Sequence, residues 1–186
     1  MKIIICPGIH DVELTNRFVA ALLNENKHKN NTDILTFPGE GIFTLSKVHI
    51  LSFLCDHLSN KIEFPLIFIS FSAGVVGAIG AAVAWQMLGG NVRAFIAIDG
   101  WGVPLWSNFP IHRLSHDVFT HHTSAILGIG ENNFYAEPPV DHLMMWNFPQ
   151  NVKGYWVNSS LKSTLSCNYL TAVEFINMLL KHYESQ

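Results

Sequence analysis

Phe64-Pro65-Leu66-Ile67-Phe68-Ile69-Ser70-Phe71-Ser72-Ala73-Gly74 decides the fold, because it passes from an apolar run into a knot of small residues. Beyond it, Val75 to Leu88 is rich in alanine and glycine and ends at Gly89-Gly90. A short continuous apolar run reads as a strand covered on both faces, and the small-residue run as a helix lying close on a sheet. No charged residue occurs from Phe64 to Val92, so a membrane-spanning helix is the rival reading. Pro65, the serines at 70 and 72, and Gly74, Gly77 and Gly80 favour strand, tight turn and helix.

Working outward, further strands are expected at Lys2 to Cys6, Asp33 to Phe37, Val92 to Ile98, Ala125 to Ile129 and Tyr155 to Asn158. Helical patterns cover Val12 to Leu23, Lys47 to Leu58, Ala73 to Leu88 and Tyr169 to Tyr183. This alternation predicts an α/β fold: a three-layer, doubly wound, mostly parallel sheet with right-handed crossovers and reactive groups at the carboxyl ends of the strands. With 186 residues and no linker-like segment, residues 1–186 read as a single domain.

Composition narrows the function. A formal charge of −3 and 11 Lys+Arg without a basic cluster argue against a nucleic-acid partner. Only 13% of residues are charged and the mean hydropathy is +0.25, so much of the chain is interior or apolar cleft. Cys6, Cys55 and Cys167 are odd in number and far apart, which favours reduced thiols over a disulfide framework or a zinc site. The opening apolar stretch is too short for a signal peptide and reads as the first strand. The expectation is a cytoplasmic protein without stable membrane insertion.

Ser70-Phe71-Ser72-Ala73-Gly74 has the form of a nucleophile elbow, in which a serine sits on a strained strand-to-helix turn between small neighbours. The plainer reading is a connection capped by Ser72. Cys6-Pro7-Gly8-Ile9-His10-Asp11 reads as a helix start with Asp11 as N-cap. It also offers a backbone N–H near Ile9 or His10 that could join the Ala73 N–H in an oxyanion hole. Asp99, before Gly100-Trp101-Gly102, is the preferred acid, its alternative role being an Asx turn. His142, after Pro138 and Pro139, is the preferred base, against a histidine that only packs a turn; Glu131 is the alternative acid. His112-Arg113-Leu114-Ser115-His116-Asp117 through His122 reads as a polar helix, with one histidine facing the cleft. His112 with His116, and Asp117 with His121, would there share faces suited to a metal ion, but no His-Glu-x-x-His pattern supports that, and no metal or other cofactor is expected.

Together, Pro7-Gly8-Ile9-His10, the elbow, Asp99 at a strand end and His142 ahead of the last helix resemble the α/β-hydrolase superfamily, in its serine, acid, histidine order. Val140-Asp141-His142-Leu143 is similar to the histidine segment of small cutinase- and lipase-like members. The chain departs from the pattern at Ser70, where the elbow has its first glycine, and in the acid, which follows the strand after the elbow helix. The resemblance implies a minimal esterase without a cap domain: a serine hydrolase acting on a small-molecule ester or thioester through Ser72, His142 and Asp99, with Ile9 and Ala73 amides holding the oxyanion. His10, Trp101 and Trp106 are candidate substrate-binding residues, and Phe109, Phe119, Met144, Met145 and Trp146 candidates for an apolar acyl cleft. Two other readings remain: a non-catalytic protein of the same fold that binds an apolar ligand or protein partner, and a flavodoxin-like domain, for which no phosphate-binding loop is present.

Overall fold

The computed structural model describes residues 1–25, 33–58, 62–158 and 168–185. They form an eight-stranded sheet of order β2-β1-β3-β4-β5-β6-β7-β8. The strands are β1 (Lys2–Cys6), β2 (Asp33–Thr36), β3 (Pro65–Phe71), β4 (Asn91–Ile98), β5 (Ile111–Ser115), β6 (Asn132–Ala136), β7 (Lys153–Asn158) and β8 (Asn168–Thr171). Pairing is parallel from β2 through β6. It turns antiparallel at β7 and β8, so the sheet is mixed.

Strand alternation divides the core in two. Ile3, Ile5, Ile67, Ile69 and Ile96 face α1 (Val12–Glu25) and the last helix, α6 (Ala172–Glu184). Ile4, Leu66, Phe68 and Phe95 face α2 (Lys47–Leu58) and α3 (Gly74–Met87). Helices therefore cover both faces, the arrangement that continuous apolar strands require. The charge-free stretch divides into β3 and α3, and among the described residues no helix is long and apolar enough to cross a membrane.

The expected strand at Ala125 to Ile129 is absent. Ala125 ends α4 (Val118–Ala125), and the turn beyond it leads into β6. The expected polar helix around His112 is instead β5, whose five residues are all buried. Its polar side chains are satisfied inside the protein: Arg113 donates to the carbonyls of Gly128, Val103 and Leu127, and His112 Nε2 lies 2.8 Å from the Tyr183 hydroxyl. On extended chain, residues four apart stand about 13 Å from each other at ~3.3 Å per residue, so the metal pairing of His112 with His116 is overturned, and Asp117 is spent capping α4 by accepting from Thr120 N. The last helix starts later than expected, because Asn168–Thr171 pairs with β7 before Thr171 and Glu174 form a capping box. Asp11 accepts from Glu13 N at the start of α1, as an N-cap does. Cys6 is a buried free thiol and Cys55 a half-buried one; Cys167 lies outside the described residues.

Candidate active site

The chain order reverses across β1, with β2 on one side and β3 on the other, and ligands of open α/β sheets gather outside the strand carboxyl ends at such a point. There β3 ends at Phe71, and Ser72 takes a positive φ of 53°. Asp99, just past β4, has φ 50°, and among the described residues these two alone are non-glycines with positive φ. Each such residue costs on the order of 1–3 kcal/mol and persists only where its surroundings over-determine it. Here Ser72 N donates to Ile98 O at 2.9 Å and Asp99 N to Leu114 O at 2.8 Å, so ladder bonds continue through both turns.

Small residues let the first loop press on the elbow. A Cβ on Gly74 would lie 2.2 Å from Pro7 O, and one on Gly8 would lie 3.1 Å from both Phe71 O and Ser72 Cβ. Gly8 thus serves close approach. Ser70, at the position of the usual first glycine, is fully buried and donates its hydroxyl to Cys6 O at 3.0 Å. A small polar side chain at that position joins the end of β3 to the end of β1.

His142 comes from the loop between β6 and β7, which Val140 N fastens to His116 O. Its Nε2 lies 2.9 Å from Ser72 Oγ and its Nδ1 2.8 Å from Asp99 Oδ2. A carboxylate can only accept, so Nδ1 carries the proton and Nε2 of the neutral ring is left to accept from the serine hydroxyl. The ring stacks on Phe71 at 4.7 Å, Phe71 on Trp146 at 5.0 Å and Trp146 on Phe18 at 3.7 Å, so an aromatic column from the core supports the imidazole.

The backbone N–H groups of Ile9 and Ala73 have no protein acceptor among the described residues. Ser72 N is already committed to Ile98, whereas the His10 and Gly74 N–H groups share the open state of Ile9 and Ala73 among the described residues. Glu131 is corrected as an acid: its N–H donates to Ile111 O at the start of β5, whereas His142 and Asp99 lie past the strand's other end, about 13 Å away at ~3.3 Å per residue.

A cleft of about 610 Å³ opens over Ser72, with Val76, Trp101, Val103 and Phe119 on its walls. Trp101 Nε1 donates to Thr123 Oγ1 at 3.2 Å, which fixes the indole on the rim. Trp106 lies outside this cleft beside Gly128, and Phe109, Met145 and Trp146 are buried in the core rather than exposed to a ligand. His10 likewise lies off the cleft, its ring tilted against Phe71 and Trp146.

Sequence reasoning missed two participants. Phe71, the stacking surface for His142, was visible only as another apolar strand residue. His116, on the cleft wall, donates its backbone N–H to Asp99 Oδ1 at 2.9 Å and its Nδ1 to Asp99 Oδ2 at 3.0 Å. Its bond to Asp99, helped by the charges of Asp99, Asp117 and Asp141 against the effect of burial, raises its pKa above the ordinary histidine value. The sequence signal was an acid, Asp117, next to a histidine at a strand end.

No protein-family model matches the chain. No curated protein matches it either.

Proposed function

We propose that the protein is a serine hydrolase of the α/β-hydrolase kind that cleaves an ester or thioester of an uncharged, apolar acyl group. The carrying observation is the 2.9 Å approach of Ser72 Oγ to Nε2 of His142 at a positive-φ strand-to-helix turn. In this reading His142 takes the Ser72 proton as Oγ attacks the carbonyl carbon, and Asp99 stabilises the imidazolium that forms. Negative charge gathering on the carbonyl oxygen is met by the Ala73 and Ile9 N–H groups. His142 then returns the proton to the departing alcohol or thiol, and water, activated by the same ring, releases the acid. Val76, Trp101, Val103 and Phe119 on the cleft walls favour an apolar acyl chain.

The test is covalent labelling by an alkyl fluorophosphonate read by intact mass. One adduct on the wild type, lost in Ser72→Ala and His142→Ala, is expected. A folded wild type that takes no adduct would shift the reading to a ligand-binding protein of the same fold.

A further inference from the structure

Asp99 Oδ2 is approached by two imidazoles, Nδ1 of His142 at 2.8 Å and Nδ1 of His116 at 3.0 Å. Its other oxygen takes the His116 backbone N–H at 2.9 Å. The acid's side chain is 1% exposed, so a carboxylate there depends on its donors, and His116 supplies two of the three. His116 is therefore placed to fix the plane in which Asp99 presents itself to His142.

The far side of the His116 ring tells its charge. Nε2 lies 3.4 Å from Asp117 Oδ2, while Nδ1 is committed to Asp99. A neutral ring with its proton on Nδ1 would aim a lone pair at the Asp117 carboxylate; an imidazolium presents a proton to each acid. Asp141, on the His142 loop, adds a third negative group. The remaining neighbour is His142, whose ring meets that of His116 edge-on with centroids 5.9 Å apart. Two positive charges at that separation repel.

We propose that His116 is a positioning residue which, as an imidazolium held between Asp99 and Asp117, clamps the Asp99 carboxylate in the plane it offers to His142. The inference rests on the hydrolase reading for its consequence, since a fixed Asp99 is what holds Nε2 of His142 toward Ser72. It carries an opposing effect. The Asp99 charge is shared with His116, so less of it remains for the imidazolium that forms on His142 during reaction. The arrangement exchanges some stabilisation of that imidazolium for a fixed carboxylate.

The experiment is the pH dependence of fluorophosphonate labelling for wild type, His116→Gln and Asp117→Asn, with folding checked by circular dichroism. Glutamine keeps an amide donor for Asp99 but no charge. Asparagine at 117 keeps the helix cap but removes the acid facing Nε2. The expected result is a wild-type rate that changes as pH rises through the raised His116 pKa, a step absent from His116→Gln and moved to lower pH in Asp117→Asn. Profiles that coincide with the wild type in both variants overturn the proposal. Imidazole ¹H–¹⁵N spectra of the wild type separate this from the hydrolase reading. His116 is expected to titrate above an ordinary histidine, whether or not Ser72 reacts. A His116 that loses its proton like a solvent-exposed histidine overturns the proposal even if Ser72 is labelled.

Discussion

Nδ1 of His142 lies 2.8 Å from Oδ2 of Asp99 although 43 positions separate them in the chain, because parallel strands carry both to one edge of the sheet. Asp99 arrives on β4, and the His142 loop leaves β6, with β5 between them. His116, at the end of that intervening strand, occupies the gap and bonds the same oxygen.

Asp99→Asn should slow Ser72 labelling by about 10³–10⁴-fold, since an amide can offer its NH₂ to the ring and favour the wrong tautomer. Glu131→Gln, at the other end of β5, should leave the rate within twofold of wild type. Second-order labelling rates for the two variants decide it; equal losses would return the acid to an open question.

Ser70→Ala should lower unfolding free energy by about 1–3 kcal/mol, because the buried Cys6 carbonyl loses the hydroxyl that bonds it at 3.0 Å. Labelling of Ser72 should persist. Urea unfolding followed by tryptophan fluorescence measures the first, intact mass the second.

Gly74→Ala should be the more damaging change at the elbow. The added methyl would meet backbone, Pro7 O at 2.2 Å and Cys6 O at 2.7 Å, so the first loop must move and the Ile9 amide with it. A loss of at least tenfold in labelling is expected together with a stability loss of about 1–3 kcal/mol. Unchanged labelling would show that the loop takes no part in the reaction.

Stability should fall as pH drops from about 6.5 to about 4. Burial pushes His112 down to about 4, so across that window the unfolded chain holds a proton that the folded protein does not. The effect of this one group reaches on the order of 3 kcal/mol. Burial also lowers His121 to about 4, which adds with the same sign. His116 works oppositely, since its raised pKa contributes stability at low pH that disappears as pH rises through the folded value. Urea midpoints at pH 4.5 and 7 should differ clearly in wild type and less in His112→Asn.

Trp101→Ala should reduce discrimination between long and short alkyl fluorophosphonates by about tenfold, as apolar area for the chain is lost from the cleft wall. The indole is 64% exposed, so the fold should tolerate the change. Equal chain-length profiles would place the acyl chain elsewhere.

Much of this was legible in the chain. Continuous apolar runs marked β1, β3 and β4, and the helices at Val12, Lys47 and Gly74 followed from periodicity and capping. Ser72 and Asp99 could be named because each stands where a strand gives way to small or turn-forming residues, and His142 because Pro138 and Pro139 stiffen the loop ahead of it. Strands β5 and β6 were hidden for a shared reason. Ile111-His112-Arg113-Leu114-Ser115 and Asn132-Asn133-Phe134-Tyr135-Ala136 carry polar side chains that look solvated in sequence. In the fold they are buried or half-buried and bonded, Asn133 to Gly130 O and Asn132 to Trp156 and Asn158.

Local sequence, then, determined the strand-turn-helix units and which residue types stand at their ends, because periodicity and turn chemistry act over a few residues. Tertiary structure alone decided that Asp99 meets both His142 and His116, and that an aromatic column stands under His142. Those depend on which strands become neighbours, and strand order is set by how two apolar faces are covered by distant helices, a condition no short stretch of sequence contains.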